Sequence, residues 1–170
     1  MRRVALSIET SGLLITNNDR IVEIGAVELT GHCISERSFH YYINPGKELC
    51  PSVEDVLGFN SEYLRDKPAF GQVATELVDF VRGSHLVVYG APFHMGFLNA
   101  ELDLLEFAPL DLCIQCVEDI EKMAKIMFPD EEANLNALCA RYKIRMPSNS
   151  SRSALEDARL VGQIYLAMRE

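Results

Sequence analysis

Val4-Ala5-Leu6-Ser7-Ile8-Glu9-Thr10-Ser11-Gly12 ("VALSIETSG") is a short apolar strand running into a polar turn. It sets one carboxylate, Glu9, just past the apolar run, with Ser7 two residues before it. Residues two apart on a strand point to the same face. A two-ion hydrolytic centre needs two acids on that face, and this strand offers one.

Outward from this strand the chain keeps a regular order. Arg20–Leu29 ("RIVEIGAVEL") alternates as a second strand, Thr30-Gly31-His32 is a turn, and Ser35–Ile43 alternates as a third strand closed by Pro45-Gly46. Gln72–Arg82 places Val73, Leu77, Phe80 and Val81 at helical spacing, with Gly83 as its stop. "HLVVY" at 85–89 is a continuous apolar run, as a strand buried on both faces requires. A helix is expected over Phe93–Leu105, a short strand over Cys113–Val117, and helices over Asp119–Phe128, Leu135–Tyr142 and Arg152–Met168, the last capped by Ser151. A meander followed by alternating strands and helices predicts an α/β fold with a mixed sheet flanked by helices. Sites in such sheets lie beyond strand ends and at helix starts, which singles out Ser7 and Glu9, Gly90–His94 and Arg152–Asp157.

Composition bounds the function. The 170 residues, 48% of them hydrophobic, suit a single globular domain spanning 1–170. No apolar run is long enough to span a membrane, and Glu9 interrupts the first too early for a signal peptide. Five cysteines without an export signal point to free thiols in a cytoplasmic setting. The net charge of −9 disfavours non-specific nucleic-acid binding, because phosphate contacts need Lys and Arg. A nucleic-acid role must therefore rest on a local site, where bound metal ions offset the acidity.

At the three loci the sequence resembles the DEDDh exonucleases of the ribonuclease H-like fold, in particular their DNA polymerase III epsilon-type proofreading branch. The resemblance runs from Val4 to Met168 and extends into "DRIVEIGAVEL", "DKPAFGQVATELVDFVRG", "FHMGFLNAEL", "LNALCARYKI" and "IYLAM". The family's Asp-x-Glu motif aligns with Ser7-Ile8-Glu9, its Phe-Asp motif with Phe93-His94, and its His followed five residues later by Asp with Arg152 and Asp157. The Asn found shortly before the second motif's Asp aligns not with Asn but with Gly90. Glu9 and Asp157 thus keep the family's catalytic residue, and Ser7, His94 and Arg152 do not. The resemblance also implies Thr10, Gly12, Phe93 and Phe97 as substrate-binding positions.

The resemblance implies a two-ion phosphodiester cleavage with Mg²⁺ or Mn²⁺, the ions roughly 3.5–4 Å apart. Mg²⁺ demands oxygen ligands in near-octahedral geometry. Ser7 stands where the acid that bridges both ions is expected. His94 brings a nitrogen better suited to Zn²⁺ or Mn²⁺. Arg152, protonated at every working pH, replaces the general base, a loss that alone costs ~10²–10⁴ in rate. Glu9 and Asp157 without metal repel and tend to hold a proton; a guanidinium between them neutralises both by paired hydrogen bonds.

Three functions follow from this set. The first is a degenerate exonuclease with little or no catalysis and no bound ion, retained as a binding or regulatory module. The second is a working 3′–5′ exonuclease holding one Mn²⁺ or Zn²⁺ on Glu9, His94 and Asp157 with Glu101 or Asp103. The third binds single-stranded 3′ ends without cutting, on Phe93 or Phe97. DNA polymerase subunits are the protein partners the resemblance implies. In the family that contact runs through a segment after the nuclease domain, and the sequence here ends at Glu170, leaving both a trimmed tail and another mode of association open. Among the remaining residues, Glu156 reads as a solvated acid favoured by the helix dipole, Arg152 and Glu156 as a pair four apart, Cys113-x-x-Cys116 as structural, and Cys139, Met123, Met127 and Met168 as packing residues.

Overall fold

Alternating side chains on residues 3–10 make the central strand of a five-stranded mixed sheet. The computed structural model describes residues 1–146 and 152–169. Its strands are β1 (Arg3–Thr10), β2 (Ile21–Thr30), β3 (Cys33–Tyr42), β4 (His85–Val88) and β5 (Cys116–Asp119), in the order β3-β2-β1-β4-β5. β1, β2 and β3 pair antiparallel, and β4 joins β1 and β5 in parallel. Among the described residues seven α-helices flank them: α1 (Pro51–Leu57), α2 (Ser61–Leu64), α3 (Phe70–Val81), α4 (Ala91–Asp103), α5 (Ile120–Met127), α6 (Leu135–Tyr142) and α7 (Ala154–Ala167). Among the described residues no helix is long and apolar enough to cross a membrane.

The two faces of the sheet bury different cores. Val4, Leu6 and Ile8 of β1 and Leu86 and Val88 of β4 pack with Phe70, Val73 and Leu77 of α3 and Phe97, Leu98 and Leu102 of α4. Ala5 and Val87 look the other way, onto Ala158, Val161, Ile164 and Tyr165 of α7 and onto α5 and α6. β4 therefore is buried on both sides, as its unbroken apolar run requires. A smaller cluster of Val22, Leu49, Leu57 and Leu64 seats α1 and α2.

Several boundaries differ from the sequence reading. β1 runs two residues past Ile8, so Glu9 lies in the strand. β5 begins at Cys116, because Leu110–Leu112 and Cys113 are spent on a 3₁₀ turn whose last amide returns to Leu110. α4 starts at Ala91 with Pro92 in its first turn, where the missing amide costs nothing. α1 and α2, seven and four residues long, were invisible to periodicity. Asp119 is the N-cap of α5 and takes the amides of Glu121 and Lys122. Ser151 lies outside the described residues, and the cap of α7 is Ser153. Met127 is not a packing residue, being 46% exposed, whereas Cys139 and Met168 are buried.

One close approach positions the site. Gly25 of β2 pairs with Ser7 of β1 and His40 of β3. A Cβ on Gly25 would stand 2.2 Å from the amide nitrogen of Leu155 and 2.3 Å from the carbonyl carbon of Ala154. The first turn of α7 thus rests directly on the sheet backbone, beside Ser7. Only glycine permits that contact.

Candidate functional site

On the α7 face of the sheet, Ser7 and Glu9 of β1 stand opposite Gly25 and Glu23 of β2. The register shifts between Glu9 and Thr10, a bulge of the kind that re-aims side chains at strand ends. α7 enters over Gly25 with a reciprocal cap: Ser153 Oγ accepts from Glu156 N at 3.2 Å, and Glu156 Oε2 accepts from Ser153 N at 2.9 Å. Glu156 therefore closes the cap instead of standing as a free solvated acid or pairing with Arg152. This geometry delivers Asp157, one turn into α7, to the acids of β1 and β2.

The electrostatics follow from that meeting. Burial, then the charges of Asp157 and Glu23, push the Glu9 carboxyl up to about 7, while Arg152 pulls the other way. Arg152 Nε donates to Asp157 Oδ1, and the pair is only partly exposed. The guanidinium hydrogen-bonds Asp157 alone and acts on Glu9 through charge, so the expected bridge across both acids is half made. Ser7, 8% exposed, adds a neutral hydroxyl.

His94 sits in the first turn of α4, with Gly90 in the left-handed conformation as N-cap at φ 76°. Its ring Nδ1 lies 3.1 Å from the Gly90 carbonyl oxygen, and its buried Nε2 has no partner among the described residues. Burial lowers its pKa, against the Gly90 contact and the charges of Asp119 and Asp157, so the ring is neutral at pH 7. The amides of Gly90 and Ala91 are taken by the Asp119 carboxylate at 3.1 and 2.8 Å.

The other sequence candidates separate. Thr10 Oγ1 donates to the Gly12 carbonyl at 2.6 Å and shapes the turn after β1. Phe93 is half-buried, with its ring 5.6 Å from that of His94 and 4.9 Å from Phe97. Phe97, 2% exposed, is core and has no free face for a base. Glu101 is not a site ligand: Arg20 grips it at 2.7 and 2.5 Å and Ile21 N donates to it at 3.1 Å. Asp103 is exposed at the end of the same helix.

Sequence reasoning missed Glu23 and the aromatic wall beyond it. Glu23 is fully buried, its Oε1 2.7 Å from His40 Nε2. An acid inside the apolar run "RIVEIG" was the available signal, since buried acids are rare unless paired. Tyr42, Phe59 and Tyr63 pack edge to face, at 5.3 Å for Tyr42–Phe59 and 5.1 Å for Tyr42–Tyr63. With Glu23, Arg152 and Glu156 they line an open cavity of about 720 Å³. Burial and Glu23 push the Tyr42 hydroxyl up to about 12, so it stays a donor. These rings come from β3, from the α1–α2 connection and from α2, which no pattern announced.

The donor set matches a pair of magnesium ions poorly. The donors present are the Ser7 hydroxyl, the His94 imidazole and the carboxylates of Glu9, Glu23 and Asp157, the last already held by a fixed cation. Hard dications require several oxygen anions, and with Asp157 paired to Arg152 and Glu23 to His40 the charge left over offsets four positive charges incompletely.

A mixed five-stranded sheet with acids gathered at the end of its central strand, facing the start of a C-terminal helix, defines a nuclease fold of the ribonuclease H-like class. The chain belongs to the exonuclease family: the Exonuclease (RNase_T) family model matches residues 4–165. It is 37% identical over 169 residues to the DNA polymerase III subunit epsilon of Rickettsia felis, covering 99% of this chain and 74% of that one. Against the same subunit of Escherichia coli it is 37% identical over 172 aligned positions, covering 98% and 71%. Its fold is shared with the nuclease domain of 3′hExo, a DEDDh family member bound to rAMP, at a TM-score of 0.83, 17% identity and coverage of 99% and 91%. Exonuclease X in complex with 5′ overhanging duplex DNA matches at a TM-score of 0.73, 19% identity and coverage of 98% and 89%.

Proposed function

We propose that this protein is an epsilon-type exonuclease homologue that engages the 3′ end of a nucleic acid with little or no two-ion cleavage. The observation that carries this reading is the Arg152–Asp157 ion pair. A fixed guanidinium holds an acid that an ion would need, and it stands where the family pattern has its general base. Glu9 and Asp157 are the retained catalytic positions, and Ser7, His94 and Arg152 the substituted ones. Thr10 and Gly12 shape the turn after β1, and Phe93 stands beside His94.

The chain's own residues would then bind without hydrolysing. Neutral His94 and the hydroxyls of Ser7 and Tyr42 offer hydrogen bonds to sugar and base. Tyr63, 43% exposed, presents a face on which a base can stack. Arg152 is the cation placed to meet a terminal phosphate. A divalent ion, where bound, would rest on Glu9 and Asp157 and supply charge to the phosphate. The alternative of one Mn²⁺ or Zn²⁺ held with help from Glu101 or Asp103 is not favoured, because Arg20 occupies Glu101 and Arg152 occupies Asp157. A single domain, a cytoplasmic location and association with polymerase subunits belong to the same proposal, the last suggested by relatives that are themselves named as subunits of DNA polymerase III.

The test is a labelled primer with a mismatched 3′ end, incubated with pure protein and Mg²⁺ or Mn²⁺. Gel retention without shortening is the expected result. Shortening that is lost in Glu9→Ala would replace this reading with an active enzyme.

A further inference from the structure

Far from Glu9, at the opposite end of the parallel strands, three side chains of different chemistry converge. His85 opens β4, Cys116 opens β5, and the two are register partners; Glu118 follows two residues on, on the same face. His85 Nδ1 lies 2.9 Å from Glu118 Oε1 and 3.1 Å from Cys116 Sγ. One nitrogen, one sulfur and one carboxylate oxygen all fall within 4.8 Å of one another. His85 also pairs with Arg3 at the start of β1. Glu9 is six residues along that strand, roughly 20 Å away at the rise of a β-strand.

We propose that His85, Cys116 and Glu118 form a second site, which binds a thiophilic divalent cation of the Zn²⁺ type. The two contacts within the cluster compete for one ring nitrogen, His85 Nδ1. If Nδ1 carries the proton it can donate to Glu118 or to Cys116, not well to both. If Nδ1 is bare, it accepts from the thiol and its lone pair repels the carboxylate. A cation at the centre accepts electron pairs from all three. Zinc takes thiolate sulfur at about 2.3 Å and imidazole nitrogen or carboxylate oxygen at about 2.0–2.2 Å, which spaces tetrahedral ligands roughly 3.3–3.7 Å apart. The cluster needs to open by only a few tenths of an ångström.

The surroundings suit an open, three-ligand site. Cys116 is exposed, so a fourth position can be taken by water. Tyr165 donates to Glu118 Oε2 at 2.7 Å and fixes the carboxylate while leaving Oε1 toward His85, a supporting contact of the kind that orients ligands. Arg3 and Arg169 stand 3.7 and 3.6 Å from the two Glu118 oxygens. Both guanidinium groups oppose the incoming dication by charge, which argues for micromolar binding in place of the tight binding of a closed structural centre. Cys113 faces the other core and takes no part, so the Cys-x-x-Cys spacing is coincidental.

The test uses the full chain with Co²⁺ and Zn²⁺ alone. One equivalent of Co²⁺ should produce thiolate-to-metal charge-transfer absorption, and Zn²⁺ should abolish it by displacement. Cys116→Ser should remove the band and weaken Zn²⁺ binding by ~10–100-fold. Cys50→Ser, altering another exposed thiol, and Glu9→Gln, altering the nuclease site, should leave both unchanged. Metal-free thermal melts check that each variant folds; should Cys116→Ser fail, His85→Gln serves in its place with the same expectation. No band in the wild-type chain, or a band that survives Cys116→Ser or His85→Gln, overturns the proposal. Loss of binding in Glu9→Gln also overturns it, by moving the ion to the family site.

Discussion

Arg152 Nε donates to Asp157 Oδ1 at the mouth of the acidic cluster, five residues along the chain and on opposite sides of the Ser153 cap. The cap turns the chain so that the residue before the helix folds back over the residue one turn inside it. A cation is thereby fixed beside two acids that belong to different elements, Glu9 of β1 and Asp157 of α7.

Removing this cation should destabilise the fold and open the site to ions. Arg152→Ala leaves Asp157 unpaired beside Glu9, and we expect a loss of about 1–3 kcal/mol, below the cost of breaking a fully buried pair. Millimolar Mn²⁺ should raise the melting temperature of Arg152→Ala more than that of the wild type. Equal shifts in both proteins would show that Arg152 does not compete for the site.

The raised Glu9 pKa makes stability fall as pH rises. In the folded state the carboxyl titrates near 7, against 4.5 as its ordinary value, so between those pH values the native chain binds more protons than the unfolded one. The contribution is fully present below pH 4.5, is lost as pH climbs to about 7, and is flat above it. Its size is at most about 3 kcal/mol. Glu9→Gln, which cannot ionise, should flatten this part of the profile and be more stable than wild type at pH 8. Denaturant titrations across pH 4–8 read the difference, and parallel profiles would refute the assignment.

Restoring the family residues should restore the chemistry if the frame is intact. Ser7→Asp, His94→Asp and Arg152→His together return the bridging acid, a second acid and the general base. We expect Mg²⁺-dependent shortening of a 3′-mismatched primer at least ~10²-fold above wild type, on the scale of one recovered general base. A folded triple variant that binds metal yet does not cut would place the defect in the frame.

Gly25→Ala tests the seat of α7. With Leu155 N 2.2 Å from the new Cβ, the helix must lift away from the sheet. Overpacking of this kind typically costs ~1–3 kcal/mol, and displacement of Asp157 should also lower the apparent pKa of Glu9. A melt unchanged within error would contradict the contact.

The aromatic wall predicts where a nucleic acid is held. Tyr63→Ala should weaken binding of a short single-stranded oligonucleotide by ~10-fold or more, since a stacked base contributes ~1–3 kcal/mol. Phe97→Ala should act on stability instead, because its ring is core. Fluorescence anisotropy and thermal melts separate the two effects.

By itself the sequence determined the succession of strands along the chain and the helices with clear periodicity, and its resemblance pointed to the motif positions. Period-two runs such as "RIVEIGAVEL" and the buried "HLVVY" are local signals, and a near-complete resemblance supplied the frame around them. Tertiary structure decided what local patterns cannot carry. Which oxygen Arg152 grips depends on a cap at Ser153, and the cap's seat depends on a missing Cβ at Gly25, 128 residues earlier. Phe97 and Glu101 looked available as names in a helix, and packing against the sheet buried the one while Arg20 captured the other. The meeting of His85, Cys116 and Glu118 likewise exists only because β4 and β5 lie parallel in register. Contacts across large sequence separations are set by how faces stack, and that information lies in the whole fold rather than in any window of the chain.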